Sequence, residues 1–86
     1  MKKITKAERL AALDRVLVRF ETEADALGFD IDAMPEYVEL CAIAVAYEWN
    51  ERRHSARLTA QINDLILAID WVLFVRWAEL RHAGRL

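Results

Sequence analysis

Two copies of one spacing, Glu51-Arg52-Arg53-His54 and Glu79-Leu80-Arg81-His82, are the residues of this chain best suited to chemistry. On a helix, a carboxylate and an imidazole three residues apart share a face. Two such pairs with two further carboxylates would be the donor set of a di-iron site inside a helical bundle. Two features argue against it here. Each pair is flanked by arginines, which repel a cation. If the helices that carry the pairs run antiparallel, the pairs also lie at opposite ends, about 35 Å apart at ~1.5 Å per residue. The expectation is two exposed helix-end histidines, favoured there by the helix dipole, and no metal site.

The other reactive residue types are supported no better. Asp30-x-Asp32 with Glu36 has the opening spacing of a calcium loop, but Pro35 stands at the sixth position, where such a loop needs glycine. Capping of the following helix is the expected role. Cys41 lies in the apolar run Tyr37–Tyr47 (YVELCAIAVAY) with no adjacent basic residue to lower its pKa, which makes it a structural thiol rather than a nucleophile. As the single cysteine it excludes an internal disulfide, and one Cys with two His is a poor zinc set. There is no glycine-rich phosphate loop and no Ser/His/Asp arrangement. The chain reads as non-enzymatic, with no catalytic residues and no cofactor.

Charge is the more informative signal. The net charge of −2 conceals a segregation along the chain. From Phe20 to Glu51 every charged residue is an acid: Glu21, Glu23, Asp25, Asp30, Asp32, Glu36, Glu39, Glu48 and Glu51. Basic residues dominate before this belt, and Arg52, Arg53, His54 and Arg57 cluster just after it. Blocks of this kind mark complementary helix faces or a charged face for a partner. Glu21, Glu23, Asp25, Asp30, Asp32, Arg52, Arg53 and Arg57 form the candidate charged partner surface. Nucleic acid is disfavoured as that partner, because the pI is 5.6 and nucleic-acid-binding domains are typically basic, with a pI above ~9. Two alternatives remain open: a small nucleic-acid-binding regulator using Arg52, Arg53 and Arg57, or an acidic belt that mimics a phosphate backbone towards a basic partner.

These residues must be positioned by helices. Hydrophobic content of 56% with two Gly and one Pro predicts an all-α chain of one domain, residues 1–86. A first helix is expected over 5–27. It opens on the capping box Thr5-Lys6-Ala7-Glu8, has one apolar seam (Leu10, Leu13, Leu17, Phe20, Ala24, Leu27), and ends at Gly28 with Phe29 folding back. A second is expected over 34–54, with Pro35 in its first turn. It is greasy on two sides: Leu40, Ile43 and Tyr47 point one way, Val38, Val45 and Trp49 the other. A helix of that kind is a central one. Four polar seam positions, Glu48, Arg52, Ser55 and Thr59, predict a reversal, with Ser55 or Thr59 capping the next helix. The alternative is one unbroken helix from about 34 to 82. The expected register places Leu17 beside Val45, Arg15 near Glu48, and Arg76 near Glu36 or Glu39, with Glu48 and Arg76 ion-paired.

The third helix, 58–82, has apolar residues on two sides. Leu58, Ile62, Leu65, Ile66, Ile69, Val72, Leu73, Trp77 and Leu80 make its main face. Leu67, Trp71, Phe74 and Ala78 make a second, opposed stripe. A three-helix bundle uses only one face of each member, so this stripe is surplus, whereas Trp49 and Trp77 are expected in the core. Burying its three large side chains is worth on the order of 5–9 kcal/mol per copy, comparable to the whole stability of a small domain. The stripe is therefore the candidate interface, and the expected assembly is an antiparallel helical hairpin plus an outer helix, paired into a helical-bundle homodimer.

The basic start lacks the apolar segment of a signal peptide. No run reaches the ~18 uncharged apolar residues of a membrane span, since Asp70 interrupts the longest. A cytoplasmic chain without membrane contact is expected, in keeping with a free thiol. The functional expectation is an adaptor, inhibitor or small regulator, of the kind frequent among bacterial and phage accessory proteins. It would act as a homodimer on an unidentified protein target.

Overall fold

A computed structural model describes residues 4–50 and 52–86. It is all-helical, with three α-helices: α1 (Lys6–Ala26), α2 (Pro35–Glu48) and α3 (Ala56–His82). A single 3₁₀ turn, Ile31–Ala33, lies between α1 and α2. No strand occurs among the described residues. The chain measures 46 × 28 × 19 Å along its principal axes.

Each helix begins and ends for a local reason. The Thr5 hydroxyl accepts from the Glu8 amide at 3.1 Å and starts α1, as its capping box predicts. Gly28, at φ +64°, reverses the chain after α1, and the Phe29 amide returns to the Ala24 carbonyl at 2.8 Å. This satisfies a helix-end carbonyl, and Phe29 packs against the core. Met34 precedes α2 and Pro35 opens it, where the missing proline N–H costs nothing. The Ser55 hydroxyl accepts from the Leu58 amide at 3.1 Å and starts α3.

The second helix is shorter than expected. It stops at Glu48 rather than near residue 54 because Asn50 adopts a left-handed conformation, φ +64°. Asparagine is one of the few non-glycine residues that tolerate it. The Lys6 ammonium donates to the Asn50 side-chain oxygen at 2.9 Å, tying this link to the start of α1. Helices α2 and α3 are thus separate, and the unbroken alternative is excluded.

The core lies where the three helices meet. Phe20, Leu40, Ile43 and Ile69 are its most deeply buried large side chains, one from α1, two from α2 and one from α3. Leu13, Ala24, Tyr37, Ala44, Tyr47, Leu58, Leu65 and Leu73 complete it, with Ile31 and Met34 from the connection. No polar or charged residue of the described part is fully buried. Polar bonds instead tie the helix edges. The Tyr37 hydroxyl donates to the Glu21 carboxylate, joining α2 to α1. Arg19 pairs with Asp70 at 3.2 Å, joining α1 to α3, and Gln61 donates to Glu39 at 2.8 Å, joining α3 to α2.

Candidate interaction surface

Along α3, Leu65, Ile69 and Leu73 are buried, while Leu67, Trp71 and Phe74 are exposed. The division follows from helical period: at 100° per residue, positions 65, 69 and 73 lie on the side opposite 67, 71 and 74. The exposure is large, 66% for Leu67, 65% for Trp71 and 54% for Phe74. Ala78 is half-buried. The aromatic rings support one another, with centroids 6.0 Å apart for Trp71–Phe74 and for Phe74–Trp77. That spacing is within the range of favourable aromatic pairs, so the stripe is a preformed ridge rather than a set of independent side chains. Beside it runs a mostly apolar cleft of about 480 Å³ bordered by Ala26, Leu27, Leu73, Phe74 and Trp77, with Glu23 and Asp70 at its edge.

Two of the tryptophans expected in the core are not there. Trp49 is exposed, as are Val38 and Val45 on the same side of α2. With 14 residues, α2 meets both neighbours through one contiguous face (Tyr37, Leu40, Ile43, Ala44, Tyr47), so its opposite stripe stays outside. Trp49 follows the last turn of α2 and has no helix to lean on. Trp77 is also partly open to solvent, at 39% exposed, because α1 ends at Ala26, beside it in the same cleft. The guanidinium of Arg81 lies over the Trp77 ring at 5.3 Å, a cation–π contact on that open side.

The candidate charged residues sort to different places. Glu21, Asp25, Asp30 and Asp32 border one hollow around the α1–α2 connection. Arg52, Arg53 and Arg57 share a shallow depression around the α2–α3 link with Ser55, Leu58 and Gln61. Part of the acidic belt serves the fold: Glu21 accepts from Tyr37, and Glu23 pairs with Arg19 at 3.4 Å. Arg19 takes its second carboxylate from Asp70, and that hydrogen bond raises the guanidinium's pKa further. The expected ion pairs of Glu48 and Arg76 are absent among the described residues. Glu48 is exposed in a groove with Leu10, Asp14, Leu17 and Val45, while the Arg76 Nε is buried without a hydrogen-bond partner.

Of the two Glu-x-x-His pairs, the described members His54, Glu79 and His82 do not form a metal-holding group. Glu51 lies outside the described residues. His54 is bound through both ring nitrogens to hydroxyls, Nδ1 to Tyr47 at 3.1 Å and Nε2 to Thr59 at 3.2 Å. That is a structural clasp across the α2–α3 link, which the sequence spacing did not reveal. Glu79 and His82 are exposed at the end of α3. Among the described residues, no group of three or more His, Cys, Asp or Glu could hold a metal ion. Burial pushes the Cys41 thiol pKa up, which disfavours the reactive thiolate. The Tyr37 phenol is likewise pushed well above its ordinary value, first by burial and then by its bond to Glu21.

The hydropathy of α3 bears on the expectation that no run spans a membrane. Among the described residues α3 is long and apolar enough, by length and composition, to cross a membrane, although Asp70 lies within it. Only 22% of its most apolar 18-residue stretch is buried inside the protein, because the stretch includes the exposed ridge. No protein-family model, no curated protein and no solved structure matches this chain.

Proposed function

We propose that this protein is a non-enzymatic protein–protein interaction module that acts as a homodimer, with α2 and α3 forming an antiparallel hairpin and α3 supplying the dimer face. One observation carries the reading: the contiguous, ring-supported ridge of Leu67, Trp71 and Phe74 stands in solvent. Soluble monomers rarely leave an apolar patch of several hundred Å² uncovered. Tryptophan is enriched among interface hot spots, which cluster near the centre of the contact. The charged residues around the two inter-helix links then remain available to a protein target, which makes an adaptor, inhibitor or small regulator the best-supported role. A free, half-buried Cys41 suits a reducing cytoplasm.

The test is size-exclusion chromatography with light scattering, on wild type and Trp71→Glu, from 1 to 100 µM. The expected result is a wild-type dimer and a folded, monomeric variant. A wild type that stays monomeric throughout the range sinks self-association. Wild-type protein that partitions into neutral phosphatidylcholine vesicles would instead assign the apolar length of α3 to a membrane. Salt-sensitive binding of duplex DNA lost on Arg52→Ala/Arg53→Ala/Arg57→Ala would assign the basic cluster to nucleic acid.

A further inference from the structure

The exposed side of α3 extends beyond its apolar centre. Asp64, Leu67, Trp71, Phe74, Ala78 and Arg81 recur at spacings of three, four, three, four and three. All are exposed except the half-buried Ala78. This alternation is the seam of a two-helix coiled coil, ended by an acid on its N-terminal side and by an arginine on its C-terminal side. Neither Asp64 nor Arg81 has an ion-pair partner among the described residues.

We infer that α3 pairs with α3 of a second copy in antiparallel orientation, in the register that sets Asp64 against the second copy's Arg81, Leu67 against its Ala78, and Trp71 against its Phe74. The inference rests on the homodimer reading and fixes its geometry. Three arguments select this register. A two-fold axis midway between Trp71 and Phe74 places every seam residue opposite another seam residue, and each contact occurs twice, as an isologous interface requires. Large side chains meet in the two central layers, Trp71 on Phe74, and a leucine meets the small Ala78 on either side, so the bulk is concentrated at the two-fold axis. Charge then decides the direction: antiparallel pairing forms two Asp64–Arg81 contacts, whereas parallel, in-register pairing sets Asp64 on Asp64 and Arg81 on Arg81. Like charges so placed are destabilising.

The area is sufficient. Leu67, Trp71, Phe74 and the open side of Trp77 together offer about 500 Å² per copy, since each aromatic side chain buries ~150–250 Å² when fully covered. A pair therefore covers ~1,000 Å², the lower bound of a specific interface.

The test uses charge exchange and thiol cross-linking on the full-length chain. Asp64→Arg and Arg81→Asp should each raise the dimer Kd about tenfold in 50 mM salt, since each turns two attractive contacts into repulsive ones. The double variant Asp64→Arg/Arg81→Asp should return to the wild-type value, and 1 M salt should erase the differences. In a Cys41→Ala background, a mixture of Leu67→Cys and Ala78→Cys chains should give a covalent dimer on mild oxidation, while neither chain alone should. Wild type that dimerises while both single charge variants keep its Kd, or Leu67→Cys chains that cross-link to themselves, overturns the antiparallel register and leaves the homodimer standing. A wild type that never dimerises overturns both.

Discussion

Two alanine substitutions two residues apart on α3 should behave oppositely. Ile69 is 0% exposed at the centre of the core. Removing three carbons there forfeits ~2.4 kcal/mol at about 0.8 kcal/mol per methylene. The cavity left behind adds to this, so Ile69→Ala should cost about 3 kcal/mol, within the usual range of ~2–5. For a domain of this size each kcal/mol lowers Tm by ~4–8 °C, which gives a fall of about 12–24 °C. Leu67 is two-thirds exposed, so Leu67→Ala removes little that the fold itself buries and should change monomer stability by no more than ~0.5 kcal/mol. The assay is urea unfolding followed by circular dichroism, at 0.5 µM and at 100 µM. In dilute solution only Ile69→Ala should move the midpoint. At high concentration wild type should gain stability by mass action, and Leu67→Ala should lose part of that gain. A dilute-solution loss of 2 kcal/mol or more for Leu67→Ala would show that the ridge is buried by the fold itself, and the division of α3 into two faces would be wrong.

Two further outcomes test the frame that holds the ridge in place. Tyr37→Phe removes the buried phenol that donates to Glu21 and should cost about 1 kcal/mol at pH 7. Because the folded-state pKa of Tyr37 lies above its unfolded value of 10.0, its contribution is fully present below about pH 10 and is lost as pH climbs towards the folded value. Measured by urea titration from pH 8 to 12, wild type should therefore lose more stability above pH 10 than Tyr37→Phe does. Ser55→Ala deletes the hydroxyl that caps α3 and should cost ~1 kcal/mol, seen as faster amide exchange in the first turn of α3.

How much of this was legible beforehand depends on whether the signal was local. The caps at Thr5 and Ser55, the reversal at Gly28 and the two faces of α3 were all readable from residue type and spacing, since each depends on backbone groups a few residues away. The stop of α2 before Asn50 was missed, although asparagine is among the few non-glycine residues suited to a left-handed turn. The bond from Arg19 to Asp70 spans 51 positions and left no trace in local pattern. Neither did the His54 clasp, whose partners Tyr47 and Thr59 meet only because the chain turns between them.

By itself, then, the sequence determined an all-helical chain and a last helix with one apolar side too many, because helical period fixes which residues share a face; that this helix is separate from α2 came from the structure. Only the tertiary structure decided how many neighbours each face would meet. For α2, two opposed apolar stripes implied a central helix buried on both sides. Its two neighbours share a single face, and Val38, Val45 and Trp49 are left in solvent. For α3, length mattered: its 27 residues outrun the 21 of α1 and the 14 of α2, so Trp77 lies where α1 has already ended. Periodicity assigns a side chain to a face of its helix, and whether that face is covered depends on the lengths and positions of other helices.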